Sequence, residues 1–311
     1  MDAAKTAGPS KVKVYLNKTI LSPKAAPYIF VLPFLITFSV FFLYPFLSSI
    51  HLSTQRFEGF TISTFVGLDN YRQLLNPRFF EAIRVTMTYT FWTIAILVPV
   101  PLFLAVLINS KLSVGGGFFK SVFFIPQLTS IIVAGMFFRF AFSSTDTALL
   151  NTLVGFFGID PVPWLRERVP AMITMVTLAV WRWFGVNLIY FLASMQGISQ
   201  DLYEAASIDG AGAWKRFVHI TLPGLKPTIV YVIAISVFGG FSMFAESFAL
   251  FGAARTPGDI ASTMVGYIFS QAFNEGRLGL AAAAGMSLLA LVMVINIIIL
   301  FLFGTFRKED A

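Results

Sequence analysis

Long apolar runs separated by polar intervals set the pattern of this chain. Six runs are long enough to cross a hydrocarbon layer: Pro27–Ile50, Val85–Asn109, Phe118–Phe142, Ala171–Ser194, Thr228–Phe251 and Leu278–Phe306. Such a layer is about 30 Å thick and takes roughly 20 helical residues. The runs are continuously apolar and do not alternate in ten-residue pieces, so they predict helices and not barrel strands. The pattern predicts an all-α membrane protein with six transmembrane helices.

The polar intervals carry their own structure. His51–Phe80 contains FVGLDNYRQLLNP, which predicts a turn at Gly67 and then a short helix capped by Asp69 or Asn70. In Ser143–Pro170 the stretch Thr147–Gly158 is apolar enough to lie on a membrane surface. The DPVPW run after it reads as a rigid turn, and Trp164 suits an interfacial position. The interval Ser199–Pro227, SQDLYEAASIDGAGAWKRFVHITLPGLKP, predicts two short helices with a bend. Ser199 caps the first, with Asp201 near the positive end of its dipole. Leu202, Ala205, Ala206 and Ile208 are helix-compatible, and the alanines permit close approach by a partner. Gly210 and Gly212 allow a sharp bend. Trp214–Ile220 forms the second helix, with Lys215 and Arg216 on its polar side and Pro223 ending it. A pair like this suits docking into a cleft of another protein. The competing reading is an amphipathic pair lying on the bilayer.

Composition agrees with a lipid environment. The 311 residues are 57% hydrophobic and 12% charged, with a mean hydropathy of +0.80. Soluble domains carry about 25% charged residues, so a water-soluble fold of this size lacks the charge to hydrate its surface. The absence of cysteine excludes a disulfide framework, a thiolate metal site and a cysteine nucleophile. His51 and His219 lie far apart and make no metal site unaided. The net charge of +7 reads as topology, not as a nucleic-acid surface.

With the N-terminus inside, all ten lysines fall on the inner side, and twelve Lys and Arg lie inside against nine outside. Arg182 sits within a span. This predicts an N-in, C-in chain. The chain divides into a basic inner tail (residues 1–26), a six-span domain (27–306) and an inner C-terminus (307–311). The tail reads as a flexible anchor beside an anionic leaflet. The first run is too long, and too far from the start, for a cleavable leader. Gly115-Gly116-Gly117 reads as a flexible inner loop.

The 199–227 interval resembles the signature loop of ABC-importer permeases. The pattern E-A-A, three residues, G, nine residues, I-x-L-P stands here as Glu204-Ala205-Ala206, Gly210, Ile220 and Leu222-Pro223, with no departure in spacing. LYEAASIDGAGAWKRF, which includes Asp209, is similar to the carbohydrate-importing branch. FFLYPFLSSI (Phe41–Ile50), FVGLDNYRQLL (Phe65–Leu75) and FFKSVFFIPQLTS (Phe118–Ser130) resemble the first permease of maltose-, glycerol-phosphate- and arabinose-type systems. The resemblance implies a type I ABC importer permease fold in the bacterial cytoplasmic membrane. It implies a second, similar permease, two ATP-binding subunits below and a solute-binding protein outside. The loop would sit in a cleft of an ATPase subunit, with Glu204 hydrogen-bonding at the docking surface and Gly210 supplying the bend. ATP-driven closure would rock the spans between inward- and outward-facing states. ATP and Mg would bind the partner ATPases. This chain has no phosphate loop of the GxxxxGKS/T type, no cofactor of its own and no enzymatic role.

Polar groups inside lipid-spanning segments are costly and point to function. The fourth run holds Arg182, Asn187 and Tyr190, and the fifth holds Ser242, Glu246 and Ser247. Tyr190, Phe241, Phe244 and Phe248 offer apolar faces to sugar rings, with Asn187, Ser242 and Glu246 taking hydroxyls. The resemblance places the solute site of maltose-type permeases in the same two spans. Structural readings compete. Arg182 snorkels outward or pairs with Glu246, Ser242 and Ser247 satisfy backbone carbonyls, and Asn187 ties helices together. Gln271 and Asn274 are weaker candidates. The alternative cargoes within the class are glycerol phosphate and amino acids. An ion-coupled secondary transporter needs paired broken helices and buried coupling carboxylates, and only Glu246 lies deep in a span.

Overall fold

The computed structural model describes Ser22 and residues 24–58, 62–109 and 116–304. Most of the basic tail, Lys111, Gly115, Arg307 and Lys308 lie outside the described residues. The chain forms two compact units, Met1–Leu52 and Ser53–Ala311.

The first unit consists of helix α1 (Ala26–Ser53) up to Leu52. Pro27 sits in its first turn, where a missing N–H costs nothing. The ring of Phe38 stacks on Phe34 and Phe42, one helical turn away on either side. A wider π turn covers Ser39–Leu43, just ahead of Pro45, which has no N–H to return to the preceding turn.

The second unit opens with a two-stranded antiparallel ribbon, β1 (Gln55–Glu58) and β2 (Ile62–Phe65), with Gln55 opposite Phe65. This corrects the all-α expectation. The β-branched Ile62 and Thr64 favour a strand, and the ribbon is too short to interrupt the apolar pattern. Helix α2 (Asp69–Gln73) follows Gly67, whose φ of 58° is left-handed as the turn requires. Its cap differs from expectation. Leu68 precedes the helix with no side-chain cap. Asp69 instead pairs with Arg56, and the Asn70 amide donates to the carbonyls of Ser53 and Gln55 at 2.9 and 2.8 Å.

Helix α3 (Pro77–Asn109) starts on an Asn76 cap, whose side-chain oxygen accepts from the Phe79 N–H at 3.0 Å. It breaks register at Val98, between Leu97 and Pro99. The expected third span is two helices, α4 (Gly116–Leu128) and α5 (Ile131–Ala141), bent by 95° at Thr129–Ser130. Helix α6 (Leu149–Gly155) falls within the apolar stretch Thr147–Gly158. Trp164 is not simply an interfacial anchor. Its ring edge meets Phe142, and its indole N–H donates to Asn151 Oδ1 at 2.8 Å.

Helix α7 (Arg168–Met195) runs 28 residues without a break. The loop pair α8 (Gln200–Ile208) and α9 (Ala213–Gly224) follows. The expected fifth span is also broken. Helix α10 (Lys226–Phe241) ends at Ser242, and α11 (Ala245–Phe251) restarts after Phe244. Helix α12 (Met264–Phe269) runs into a π turn, Ser270–Asn274, ahead of α13 (Leu278–Leu302). Helices α1, α3, α7 and α13 are each long and apolar enough to cross a membrane. The bent pairs α4/α5 and α9/α10 reach that length only when each pair is taken as one span.

Within this unit α7 is central. Its Met175 and Leu178 share one buried cluster with Phe138 and Leu250, and its Leu188 and Phe191 share another with Leu225 and Val232. Close backbone approach sets two contacts. A Cβ at Gly185 would overlap the Phe123 carbonyl of α4, and one at Gly135 of α5 would overlap Ala249 of α11. Helices buried in lipid gain from such approaches, since van der Waals contact drives their packing.

Candidate functional site: a surface loop pair and an intramembrane cavity

The α8–α9 pair is built from local chemistry. Ser199 caps α8 as expected, its hydroxyl accepting from the Asp201 N–H at 3.2 Å. The helix closes where the Ala211 N–H reaches the Ala206 carbonyl at 2.8 Å. That closure needs the left-handed φ of 75° that Gly210 adopts. Two side-chain bonds lock the pair: Tyr203 to Thr221 at 2.9 Å, and Arg216 to Ser207 Oγ at 2.9 Å. Pro223 does not end the second helix. A π turn at Phe217–Thr221 resets the register, so Pro223 falls in the first turn of the following segment, where no N–H is needed. The chain bends by 64° only afterwards, between α9 and α10.

Of the signature residues, Glu204, Ala205, Asp209, Gly210, Leu222 and Pro223 are exposed, and Ala206 and Ile220 are half-buried. Ile208 at 87% exposure and Trp214 at 71% are the most exposed large apolar side chains on this loop, followed by Leu202 at 54%. Beneath it, Glu204 and Arg216 help line a cavity of about 470 Å³.

A second cavity, of about 460 Å³, opens among α3, α7, α10 and the start of α11. Four expected path residues line it: Asn187, Tyr190, Ser242 and Glu246. Four others do not. Arg182 forms no ion pair with Glu246 among the described residues. Its guanidinium donates to Gln127 Oε1 of α4 at 3.3 Å and lies 5.9 Å from the Trp183 ring centre. Ser247 is buried and donates to the Ala261 carbonyl at 3.1 Å, the backbone role weighed for it. Phe244 stacks on Phe269 at 5.1 Å and meets Phe248 at 5.5 Å, an aromatic cluster away from the cavity. Phe241 is buried in the core with Met264 and Leu280. Gln271 and Asn274 lie in the π turn before α13.

Asn187 does both things weighed for it. It lines the cavity, and its amide donates to the Leu97 carbonyl at 2.8 Å. That carbonyl would ordinarily accept from residue 101, but Pro101 has no N–H. The asparagine supplies the missing donor.

The cavity also takes Tyr89 and Thr93 from α3, Trp183 from α7 and Ser236 from α10. The run Thr86–Thr93, with its four threonines and one tyrosine inside a span, carries the same polar-in-lipid signal used for the fourth and fifth runs. Together the walls give one carboxylate, four aromatic side chains and several hydroxyls, the mixture that holds a polyhydroxylated ring.

Residues 59–308 match the protein family described as "Binding-protein-dependent transport system inner membrane component". The arabinooligosaccharides transport system permease protein AraP of Bacillus subtilis (strain 168) is 48% identical, over 93% of this chain and 91% of its own length. The lactose transport system permease protein LacF of Rhizobium radiobacter is 32% identical, over 79% of this chain and 83% of its own. Among solved structures, a bacterial ABC transporter that imports the acidic polysaccharide alginate has a chain that superposes with a TM-score of 0.79 at 25% identity. The match covers 94% of this chain and all of that one.

Proposed function

The chain belongs to the family of binding-protein-dependent transport system inner membrane components, and from that premise we propose that it is a sugar-translocating permease subunit of a bacterial ATP-driven importer. An arabinose-type oligosaccharide is the favoured cargo, because the most similar relative reported above carries one. The chain is a transport protein, not an enzyme. It sits in the cytoplasmic membrane with six spans and both termini inside. The lysine distribution supports that orientation, and the six long apolar runs of the sequence support the number. A second, similar permease completes the pathway, two ATPase subunits bind ATP and Mg below, and a solute-binding protein delivers cargo from outside.

The observation that carries this reading is the α8–α9 loop. It holds the full signature spacing on a rigid, side-chain-locked helix pair, and it leaves Ile208 and Trp214 uncovered in the place where an ATPase cleft would take them. Exposed apolar side chains on a polar face mark a contact surface. Movement of the loop would be passed through the α9–α10 bend into α10, a wall of the 460 Å³ cavity. There Tyr89, Trp183 and Tyr190 offer rings, and Ser242 and Glu246 offer hydrogen-bond acceptors. The test is Glu204→Arg and, separately, Gly210→Pro. Both variants should insert and accumulate in the membrane yet fail to support uptake. Normal uptake by either removes the docking role.

A further inference from the structure

A third cavity, of about 500 Å³, lies between α3 and α7 and is separate from the solute cavity. Its mouth is charged. Glu81 pairs with Arg168, and Arg84 reaches the same carboxylate only at 3.8 Å. The Arg84 side chain is 66% exposed, and the three groups together carry one net positive charge. Below the mouth the walls are mostly apolar, with Val85, Trp92, Ile96, Met172, Ile173 and Val176 beside the hydroxyl-bearing Thr88 and Thr177. The Thr177 hydroxyl in the wall is already spent on the Ile173 carbonyl at 2.7 Å, so it presents a methyl and not a donor.

The dimensions fit one ligand class. Arg84 and Arg168 lie toward the same ends of their spans. Ile96, at the deep end, is twelve residues beyond Arg84, which is about 18 Å along a helix. Half of a hydrocarbon core roughly 30 Å thick is about 15 Å. The groove therefore runs from headgroup level to near mid-membrane, with a cation at one end and apolar walls along its length. We propose that this groove holds one anionic phospholipid, its phosphate at Arg84 and Arg168 and one acyl chain along Trp92, Ile96 and Ile173. In the orientation proposed above the lipid belongs to the external leaflet. A helix of the second permease would need its own anion at that depth to satisfy Arg84. A phospholipid brings the anion and the apolar tail in one molecule.

The test uses the full complex with its partner subunits, equilibrated in mixed micelles of equimolar phosphatidylglycerol and phosphatidylcholine and then weighed by native mass spectrometry. The expected result is retained phosphatidylglycerol in preference to phosphatidylcholine. Arg84→Gln should cut that preference about fivefold, the weight of one arginine beside an anionic headgroup. Ile173→Trp, which narrows the groove and leaves the charges in place, should lower retention of both lipids. Arg84 makes only a long surface contact, so its replacement leaves the fold intact. Three outcomes would overturn the proposal: no lipid preference, a preference indifferent to Arg84→Gln, or an Ile173→Cys variant that cross-links efficiently to the second permease.

Discussion

At the scale of the residue, position along the chain proved a better guide than chemical type alone. Glu246 lines the 460 Å³ cavity and has no ion-pair partner among the described residues. Glu246→Ala should therefore lower sugar uptake while leaving the amount of membrane-inserted protein near wild type, read by transport assay and immunoblot side by side. Equal loss of both points to a structural role. Ser242, Asn187 and Tyr190 were legible because polar groups in apolar runs are conspicuous. Tyr89 and Thr93 carry the same signal, standing with Thr86 and Thr90 at i, i+3, i+4 and i+7 on one helical face, but a threonine or tyrosine is a weaker mark in an apolar run than an amide or a carboxylate. Arg182 was misassigned for a different reason. The run containing Gln127 lies far away in sequence, and only the packing of α4 on α7 brings the two together.

At the scale of the element, the apolar runs located the helices but not their breaks. Helix α7 came out as one piece because nothing in it interrupts the backbone ladder. The third run contains Pro126, yet its bend falls at Thr129–Ser130, where α5 turns to lie on α11 through Gly135 and Ala249. That contact is tertiary and leaves no local mark. The break at Ser242–Phe244 does carry a local mark, since Gly239 and Gly240 stand just ahead of it and weaken the last turn of α10. The Pro101 site turns this into a measurable coupling. Asn187→Leu strips the side-chain donor from the Leu97 carbonyl and should cost about 1 kcal/mol in detergent unfolding, the scale of such bonds in membrane proteins. Pro101→Ala restores the N–H that a regular helix would use. In that background the cost of Asn187→Leu should fall toward zero. Undiminished cost in the double variant would mean the asparagine acts elsewhere.

At the scale of the whole molecule, most of the signature loop's geometry was legible because it rests on local spacing: a cap at Ser199, a left-handed Gly210 and two short helices. Only the fate of Pro223 needed the π turn to be seen. The N-in, C-in topology proposed from charge can be checked directly, because the chain has no cysteine. A single cysteine at Thr147 should react with a membrane-impermeant maleimide in intact spheroplasts. One at Lys215 should react only after permeabilisation. The reverse pattern would invert the orientation.

The central claim is that this chain works as one part of an ATP-driven assembly, held to its motor by the α8–α9 loop. The measurement that tests it most directly is purification of the tagged chain from its native host in mild detergent, with mass spectrometry of its companions, for wild type and Glu204→Arg in parallel. The expected result is a second six-span permease and an ATPase with the wild-type chain, and the permease without the ATPase with the variant. Wild-type chain recovered alone, reproducibly and in several detergents, would contradict the assembly. An ATPase retained equally by both would contradict the role assigned to the loop.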